Sequence, residues 1–181
     1  MRDVSDFIVQ KLKLKVNRDK SKITRANDST FLGFTLKNGK IRWTEDSFRD
    51  FKHNLRKLTG RSNGISLTRR IHELNIYITG WMNYYGISQY YRAVQDIDGW
   101  LRRRIRMCLW KQWRYTRTKV KNLLRLGLSE SMAVKAGISS KSFWHLSRTY
   151  ATNFGMSNKW FEDQGLVSIK ARWCKSQGYV T

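Results

Sequence analysis

The stretch RRIHELNIYITGWMNYYG, residues 69–86, decides the fold of this chain. Its apolar residues recur every three or four positions, which places them on one face of an α-helix. Counted from just before the stretch, the residues on that face are Leu67, Ile71, Leu74, Ile78, Met82 and Tyr85. Ser66 is a favourable N-cap for such a helix. The sequence therefore predicts a buried helix that begins after Ser66 and ends at about Tyr85.

A second side of this helix carries Arg70, Tyr77, Trp81 and Tyr84, at spacings of seven, four and three residues. The rings can form a second buried face whose hydroxyl and indole groups bond inside the protein. Alternatively, they form a surface on which nucleic-acid bases stack. The buried interpretation is favoured for Trp81, whereas both interpretations stay open for Tyr84. Gly80 is interpreted as a point where another helix approaches closely.

Upstream of this helix, the segment TFLGFTLKNGKIRWT at residues 30–44 predicts a β-hairpin. Asn38 and Gly39 suit a two-residue type I′ turn, because both central positions of that turn need positive φ. A turn at this place would pair apolar residues across one face of the hairpin. The predicted pairs are Phe34 with Trp43 and Leu36 with Ile41.

The other elements are predicted from the same kinds of signal. Thr44 is a suitable N-cap for a helix with the apolar stripe Phe48, Phe51, Leu55 and Leu58. A third long helix is predicted from about Gln89 to Arg117, with an interruption near Gly99 left open, and shorter ones are predicted over 118–126 and 129–136. The alternation LKLKV at residues 12–16 predicts a short strand, and only scattered helical turns are expected after Gly137. The predicted fold class is mainly α: a helical bundle preceded by a small β-hairpin element.

The chain is strongly basic, which indicates the class of its partner. It has 36 Lys and Arg residues against 13 Asp and Glu, a formal charge of +23. A charge of this size favours a polyanion, so nucleic acid is the predicted partner. No apolar run reaches the roughly 18 residues of a membrane span, and no membrane association is predicted. Cys108 and Cys174 have no metal-ligand spacing, which fits a reducing, cytoplasmic location.

The third predicted helix carries a stripe of cations around a tryptophan. The residues of the stripe recur three or four positions apart: Arg103, Arg106, Trp110, Arg114 and Arg117. Between Gly99 and Ser129 there are ten Lys or Arg residues and no acidic residue. Arginine stems that cover apolar neighbours could explain such a face. Because no acid is near in sequence, contact with phosphates is the favoured explanation.

No complete catalytic or metal site is visible in the sequence. Asp96 and Asp98 form one short acidic pair, which a helix-start cap explains better than a divalent cation does. His72 begins a pattern found on zinc-protease helices, but Ile76 stands where the second histidine is needed. Neither catalytic residues nor metal ligands are predicted for this chain.

Several of these segments together resemble a known family. The stretch at 69–86, with DIDGWLRRRIRMCLWKQWRYTRTKVKNLLRLGLS at 96–129, closely resembles the maturase-specific region of group II intron reverse transcriptase–maturases. LKLKVNRDKS at 12–21 and FLGFTL at 31–36 look like the last blocks of that family's reverse-transcriptase palm. SNKWFEDQGLVSIKARW at 157–173 is similar to the family's C-terminal end.

The resemblance implies a division of the chain into three segments. They are a remnant of the reverse-transcriptase palm with the β-hairpin at 1–43, the maturase-specific thumb (X) helical domain at 44–140, and a C-terminal extension at 141–181. Within the first segment, the resemblance places Lys20, Gly33 and Phe34 near the primer and nucleotide site. The family's catalytic Tyr-Ala-Asp-Asp element would lie upstream of Met1. Isolated from that element, the chain is expected to lack polymerase activity.

In that family the thumb holds intron RNA, helps it reach its splicing-active fold and grips the template–primer duplex. The resemblance and the stripe together give the predicted RNA-binding residues: Arg70, Arg102, Arg103, Arg104, Arg106, Trp110, Lys111, Arg114, Arg117 and Lys119. Trp81 and Tyr84 are the candidates for base stacking.

The expected partners are group II intron RNA and, beside it, an RNA/DNA template–primer duplex. No cofactor is expected to be bound by this chain, whereas Mg²⁺ is expected for the full polymerase and for the intron ribozyme. Two alternatives stay open. The chain could be a subunit of a split reverse transcriptase that a palm-bearing polypeptide completes. It could also be a generic basic nucleic-acid-binding domain.

Overall fold

The computed structural model describes residues 2–17, 24–25, 27 and 29–179 of the chain, which are mainly helical. A small antiparallel sheet lies between the first helix and the others. Its strands are β1 (Thr30–Phe31), β2 (Phe34–Lys37) and β3 (Lys40–Trp43). The helices are α1 (Arg2–Lys11), α2 (Glu45–Leu58), α3 (Leu67–Tyr85), α4 (Tyr91–Gln112), α5 (Thr116–Arg125), α6 (Glu130–Gly137), α7 (Phe143–Leu146), α8 (Tyr150–Gly155), α9 (Asn158–Asp163) and α10 (Ile169–Ser176). The predicted fold class is confirmed.

The hairpin forms in the predicted register. Asn38 and Gly39 both have positive φ, 53° and 72°, as the type I′ turn requires. Phe34 pairs with Trp43, and Leu36 pairs with Ile41. The structure adds β1 as a third strand, which pairs with β2 in antiparallel orientation.

The short strand predicted at 12–16 is wrong. Residues 12–17 belong to no helix or strand, and the Leu12 and Leu14 amides both donate to the Ile8 carbonyl at the end of α1. Side-chain alternation alone does not make a strand, because the backbone groups of a strand need a neighbouring strand to bond. No described strand lies beside this segment.

Helices α2 and α3 begin where their caps predict. The Thr44 hydroxyl accepts a hydrogen bond from the Ser47 amide, and the Ser66 hydroxyl accepts one from the Arg69 amide, each at 3.2 Å. The interpretation of Gly80 is wrong, since a Cβ added there would meet nothing within 4 Å. Close approaches occur instead at other glycines, among them Gly33 between β1 and β2. An added Cβ at Gly33 would lie 2.6 Å from the Tyr85 hydroxyl, and its φ of +79° also favours glycine.

The third predicted helix is two helices. The chain breaks at Trp113, whose ψ of 59° is not helical, and α5 starts at Thr116 rather than after Arg117. The break lets the Trp113 ring fold back towards the Trp110 ring, with 5.7 Å between the ring centres. The Trp113 ring packs against both of the apolar clusters described below. Gly99 does not interrupt α4. The predictions for 118–126 and 129–136 agree with α5 and α6 to within about two residues.

Residues after Gly137 form four short helices where only turns were expected. Three of them start at a serine whose hydroxyl accepts a hydrogen bond from the backbone amide three residues later, namely Ser142, Ser157 and Ser168. Their four to eight residues hold too few turns for a clear apolar period, which is why the pattern did not reveal them.

Two apolar clusters hold the helices together. The larger one joins α2, α3 and α4 to the C-terminal residues Met156, Phe161, Ile169 and Trp173. The smaller one surrounds Trp110 and includes residues of α5, α6, α7 and α8: Leu123, Leu128, Ala133, Leu146 and Ala151 are its other buried members. The C-terminal residues thus complete both clusters. The division of the chain at residues 43 and 140 stays a prediction.

Candidate nucleic-acid interface

The predicted cationic stripe does not lie on an exposed face. Trp110 is 0% exposed and Arg106 is 7% exposed, while Arg103 is half-buried. Helices α7 and α8 cover this side of α4, and the Trp110 indole donates to the Thr152 hydroxyl at 3.0 Å. The expectation of one continuous exposed stripe is therefore wrong. Its covering helices were missed in the sequence, so their side of α4 looked free.

The buried arginines bind the carbonyl ends of neighbouring helices. Arg106 donates from Nε and Nη2 to the Met156 carbonyl at the end of α8, at 3.0 and 2.7 Å. Arg103 donates to the Trp144 carbonyl in α7 at 3.0 Å, and its guanidinium lies 3.7 Å from the centre of the Trp144 ring. Helix C-termini carry partial negative charge and unpaired carbonyls, so they can replace carboxylates as arginine partners.

The same arrangement occurs at the end of α2. Arg70 donates to the Leu58 carbonyl at 2.7 Å, and Arg104 donates to the Thr59 carbonyl at 3.1 Å. Arg104 also donates to the Thr59 hydroxyl at 2.6 Å. Arg70 is fully buried and Arg104 is half-buried. These two arginines hold α3 and α4 against the C-terminal end of α2.

Burial changes the proton affinity of one of these groups strongly. It lowers the pKa of Arg106 to about 10, with a smaller contribution from the charge of Arg102. The guanidinium is still protonated at neutral pH. Arg106 is therefore a cation that remains charged inside the protein and is held by a carbonyl.

Asp98 and Arg102 form a buried ion pair within α4. Their side chains approach to 2.8 Å. Asp98 also accepts from the Ile169 amide at 3.0 Å and from the Ser168 hydroxyl at 3.1 Å, both at the start of α10. Asp98 thus caps the start of a helix, as predicted for this acidic pair, but the helix is α10, whereas Asp96 and Asp98 themselves lie inside α4. In the described part of the chain, no group of three or more His, Cys, Asp or Glu residues is placed to hold a metal ion.

Exposed cations are concentrated where α4 turns into α5. We name this place the corner surface and define it by Lys111, Arg114, Tyr115, Arg117, Lys119 and Lys121. All are exposed except Lys119, which is half-buried, and the Arg114 guanidinium lies 5.5 Å from the Tyr115 ring centre. Four of the ten predicted RNA-binding residues lie here. Cations around an exposed ring can bind phosphates and a base together.

A second group of cations surrounds Trp100, and of its members only Arg104 was singled out from the sequence. Lys52, Arg56 and Arg104 have their charged groups 5.3, 6.0 and 5.2 Å from its ring centre. The spacing of Lys52 and Arg56 in α2 was the available signal. Glu45 and Asp96 line the adjoining groove with Trp100. Acids beside these cations make this surface less favourable for a polyanion than the corner surface.

The two candidate stacking residues have different surroundings. Trp81 stacks on Phe51 at 4.0 Å and on Tyr85 at 4.5 Å between ring centres, as the buried interpretation predicts. Tyr84 is 48% exposed, and its hydroxyl donates to the Leu32 carbonyl at 3.0 Å. Of the two rings, that of Tyr84 is therefore the one with a large exposed face.

The predicted palm residues meet the end of α3. The Phe34 ring lies 5.6 Å from that of Tyr84 and 5.2 Å from that of Tyr85, and Gly33 lies under the Tyr85 hydroxyl. Lys20 lies outside the described residues. A position of Gly33 and Phe34 near a primer or nucleotide stays a prediction.

One known protein family has a model that matches the central part of the chain. Residues 48–127 match the family model of the group II intron maturase-specific domain, and this range includes most of α2, all of α3 and α4, and α5 with the corner surface. A search of curated proteins gives no match. None of the helices in the described part of the chain has the length and hydrophobicity needed to cross a bilayer. Over residues 48–127, the chain is thus similar to the maturase-specific domain of the group II intron family.

Proposed function

We propose that this chain is an RNA-binding maturase domain that grips group II intron RNA through the corner surface and assists its folding and splicing. The observation that carries the proposal is the position of the corner surface. It lies within the matched residues 48–127, and the sequence from Gly99 to Ser129 contains no acid. Its exposed cations can therefore bind phosphates without local competition.

The proposed contribution of the protein is electrostatic and geometric. Lysine and arginine side chains that neutralise phosphates release counterions, which provides affinity at low salt. Holding two RNA segments on one rigid corner brings them together at low entropic cost. The splicing chemistry itself belongs to the RNA and its Mg²⁺, and no residue of this chain takes part in it. A template–primer duplex presents the same phosphates and could occupy the same surface.

The test is the salt dependence of RNA affinity. Lys111, Arg114 and Arg117 are changed together to Gln, and binding to a group II intron RNA is measured over a salt series. Because each phosphate contact contributes roughly one unit to the slope of log affinity against log salt, the slope should fall by about three. The matched control changes Lys159, Lys170 and Lys175 to Gln, which removes the same charge from exposed positions in α9 and α10.

Two results would contradict the proposal. An unchanged slope in the corner variant, or an equal change in the control, would remove the corner surface as the interface. Equal affinity of the unmodified chain for intron RNA and for an unrelated RNA duplex would leave only generic charge binding, as in the alternative of a basic nucleic-acid-binding domain.

A second candidate function rests on the apolar surface around the sheet. Phe31, Leu32, Ile41, Tyr84 and Ile87 line an apolar groove of about 450 Å³, and each of these side chains is exposed. Exposed apolar surface of this kind supports a partner that covers it. Because Phe31 and Leu32 belong to the stretch that resembles the end of the family's palm, the partner we propose is a palm-bearing polypeptide that completes a split reverse transcriptase.

This second function is tested by cDNA synthesis on a template–primer. The isolated chain should make no cDNA, and adding a palm-bearing polypeptide of the family should give synthesis. Leu32→Asp with Ile87→Asp should abolish that gain, because two charges would enter the covered apolar groove. The same substitutions should leave the salt slope for intron RNA unchanged. Synthesis by the isolated chain would contradict the proposed division of labour.

A further inference from the structure

A further groove lies outside the matched residues 48–127, among α6, α7 and α8. Its volume is about 470 Å³, within the roughly 300–1,000 Å³ typical of ligand sites. The apolar residues Met132, Ala136 and Leu146 line it. The polar part of the lining includes Lys135, Lys141 and His145. The groove thus combines an apolar lining with basic side chains.

An exposed aromatic pair stands beside this groove. Tyr150 lines it and is 71% exposed, and Phe154, one helical turn further along α8, is 54% exposed. The two ring planes are 27° apart, with centres separated by 6.1 Å. Most other tryptophan and phenylalanine rings of the chain pack in its apolar clusters. A near-parallel exposed pair therefore offers ring faces to a flat apolar partner.

The charge around the groove favours a polyanion. Lys135, Lys141 and Arg148 are exposed, and no acidic residue is among the described residues that line the groove. Arg148 also lies close enough to Arg103 for its charge to lower the pKa of that residue, after the larger effect of burial. A basic peptide segment would meet repulsion here and a neutral one would gain no electrostatic attraction, whereas a phosphate backbone would meet only cations.

Helix α7 joins this groove to the corner surface. The ring of Phe143 lies 6.0 Å from the ammonium groups of both Lys111 and Lys119, which belong to the corner surface. Two residues further along, His145 lines the groove. A strand whose phosphates follow the corner cations would therefore reach the groove after passing one four-residue helix.

We propose that this groove binds unpaired nucleobases of the RNA held by the corner surface. One or two bases stack on the Tyr150 and Phe154 rings or enter the apolar lining. Lys135, Lys141 and Arg148 contact the flanking phosphates. The inference rests on the proposed RNA-binding function and adds the class of RNA: a single-stranded segment next to a structured one. Stacking of this kind is tolerant of sequence, because every base has an aromatic face.

The experiment uses the full chain and two defined probes. One is an unstructured oligouridylate with a single 2-aminopurine, and the other is a blunt RNA duplex of the same length. Tyr150→Ser with Phe154→Ser should weaken binding of the single strand about 10-fold and abolish the quenching of 2-aminopurine on binding. Affinity for the duplex and its salt slope should not change. Phe31→Ser with Tyr179→Ser removes two other exposed rings and serves as the control.

The outcomes separate this inference from the proposed function. Normal binding of both probes by the Tyr150 and Phe154 variant overturns the groove and leaves the corner surface standing. Equal losses of affinity for single strand and duplex also overturn it, since the loss of stacking on unpaired bases should not weaken binding of a duplex. An acidic amphipathic peptide that binds the groove without competition from the single strand would assign it to a protein partner instead. An unmodified chain that binds neither probe overturns the proposed function as well.

Discussion

Two basic stretches follow one another along the chain and have opposite roles. Arg102, Arg103, Arg104 and Arg106, in the middle of α4, are directed into the protein, whereas Lys111, Arg114 and Arg117 are exposed. Neither stretch has an acidic residue within Gly99–Ser129. The first stretch finds its partners at the carbonyl ends of α2, α7 and α8, and in Asp98. A lack of nearby acids therefore does not show that an arginine is free, since a helix C-terminus can serve as its partner.

The largest effect on stability should come from Asp98, the carboxylate that pairs with Arg102 of the first basic stretch. Asp98→Ala removes the partner of buried Arg102 and the cap of α10, so the free energy of unfolding should fall by about 3–5 kcal/mol. Urea unfolding followed by circular dichroism measures it. Asp96→Ala is the control, because Asp96 is exposed on the same helix and should change stability by less than about 0.5 kcal/mol. Equal losses in both variants would remove Asp98 from its assigned place.

A smaller loss is expected when a helix end loses its arginine. Arg106→Ala leaves the Met156 carbonyl buried without its partner and opens a cavity, so stability should fall by about 2–3 kcal/mol. For Arg114→Ala, at the corner surface, the free energy of unfolding should lie within about 0.5 kcal/mol of that of the unmodified chain. A similar effect of the two substitutions would mean that the two basic stretches do not differ as described.

The opposite order should hold for RNA binding. At a temperature where each variant is folded, Arg114→Ala should weaken binding to intron RNA and lower the salt slope by about one. Arg106→Ala should leave the slope unchanged, because its guanidinium is held at the end of α8 and contacts no phosphate. Filter binding at several salt concentrations measures both. A lower salt slope for Arg106→Ala, with an unchanged slope for Arg114→Ala, would contradict the assignment of the two basic stretches.

The smallest expected effect concerns pH: the stability difference between Arg106→Ala and the unmodified chain should not depend on pH near neutrality. The pKa of Arg106 is lowered by burial only to about 10, so this residue is protonated in both folded and unfolded states between about pH 6 and 9. It binds no extra proton on unfolding in that window. The contribution of Arg106 to the free energy of unfolding would depend on pH only above the folded pKa. There the folded state loses the proton while the unfolded state still retains it. Unfolding free energies of Arg106→Ala and the unmodified chain, measured from pH 6 to 9, should differ by a constant amount, and a difference that varies with pH would contradict the pKa.

Local signals made much of this fold predictable. Thr44 and Ser66 mark the starts of α2 and α3, and Asn38 with Gly39 sets the hairpin register. These features depend on residues within four positions of each other, so the sequence pattern contains them directly. The C-terminal serine caps were visible too, but short helices lack the periodicity that would have given them weight.

The inner arginines could not be assigned in the same way. Arg103 and Arg106 contact residues 41 and 50 positions away along the chain, and Arg104 contacts one 45 positions before it. A helix-face pattern shows which residues share a side, but not which distant segment covers that side. The corner surface was predictable in part, because Arg114 and Arg117 lie beyond the break at Trp113 and stay exposed among the described residues.

One measurement tests the separation of the two basic stretches most directly. Arginine side chains are modified with a dicarbonyl reagent in the free chain and in its complex with intron RNA, and modified sites are located by mass spectrometry. Arg114 and Arg117 should react in the free chain and be protected by RNA, while Arg70, Arg102 and Arg106 should stay unreactive in both. Modification of Arg106 in the free chain followed by protection in the complex would contradict the account. So would Arg114 and Arg117 that remain fully reactive in the complex.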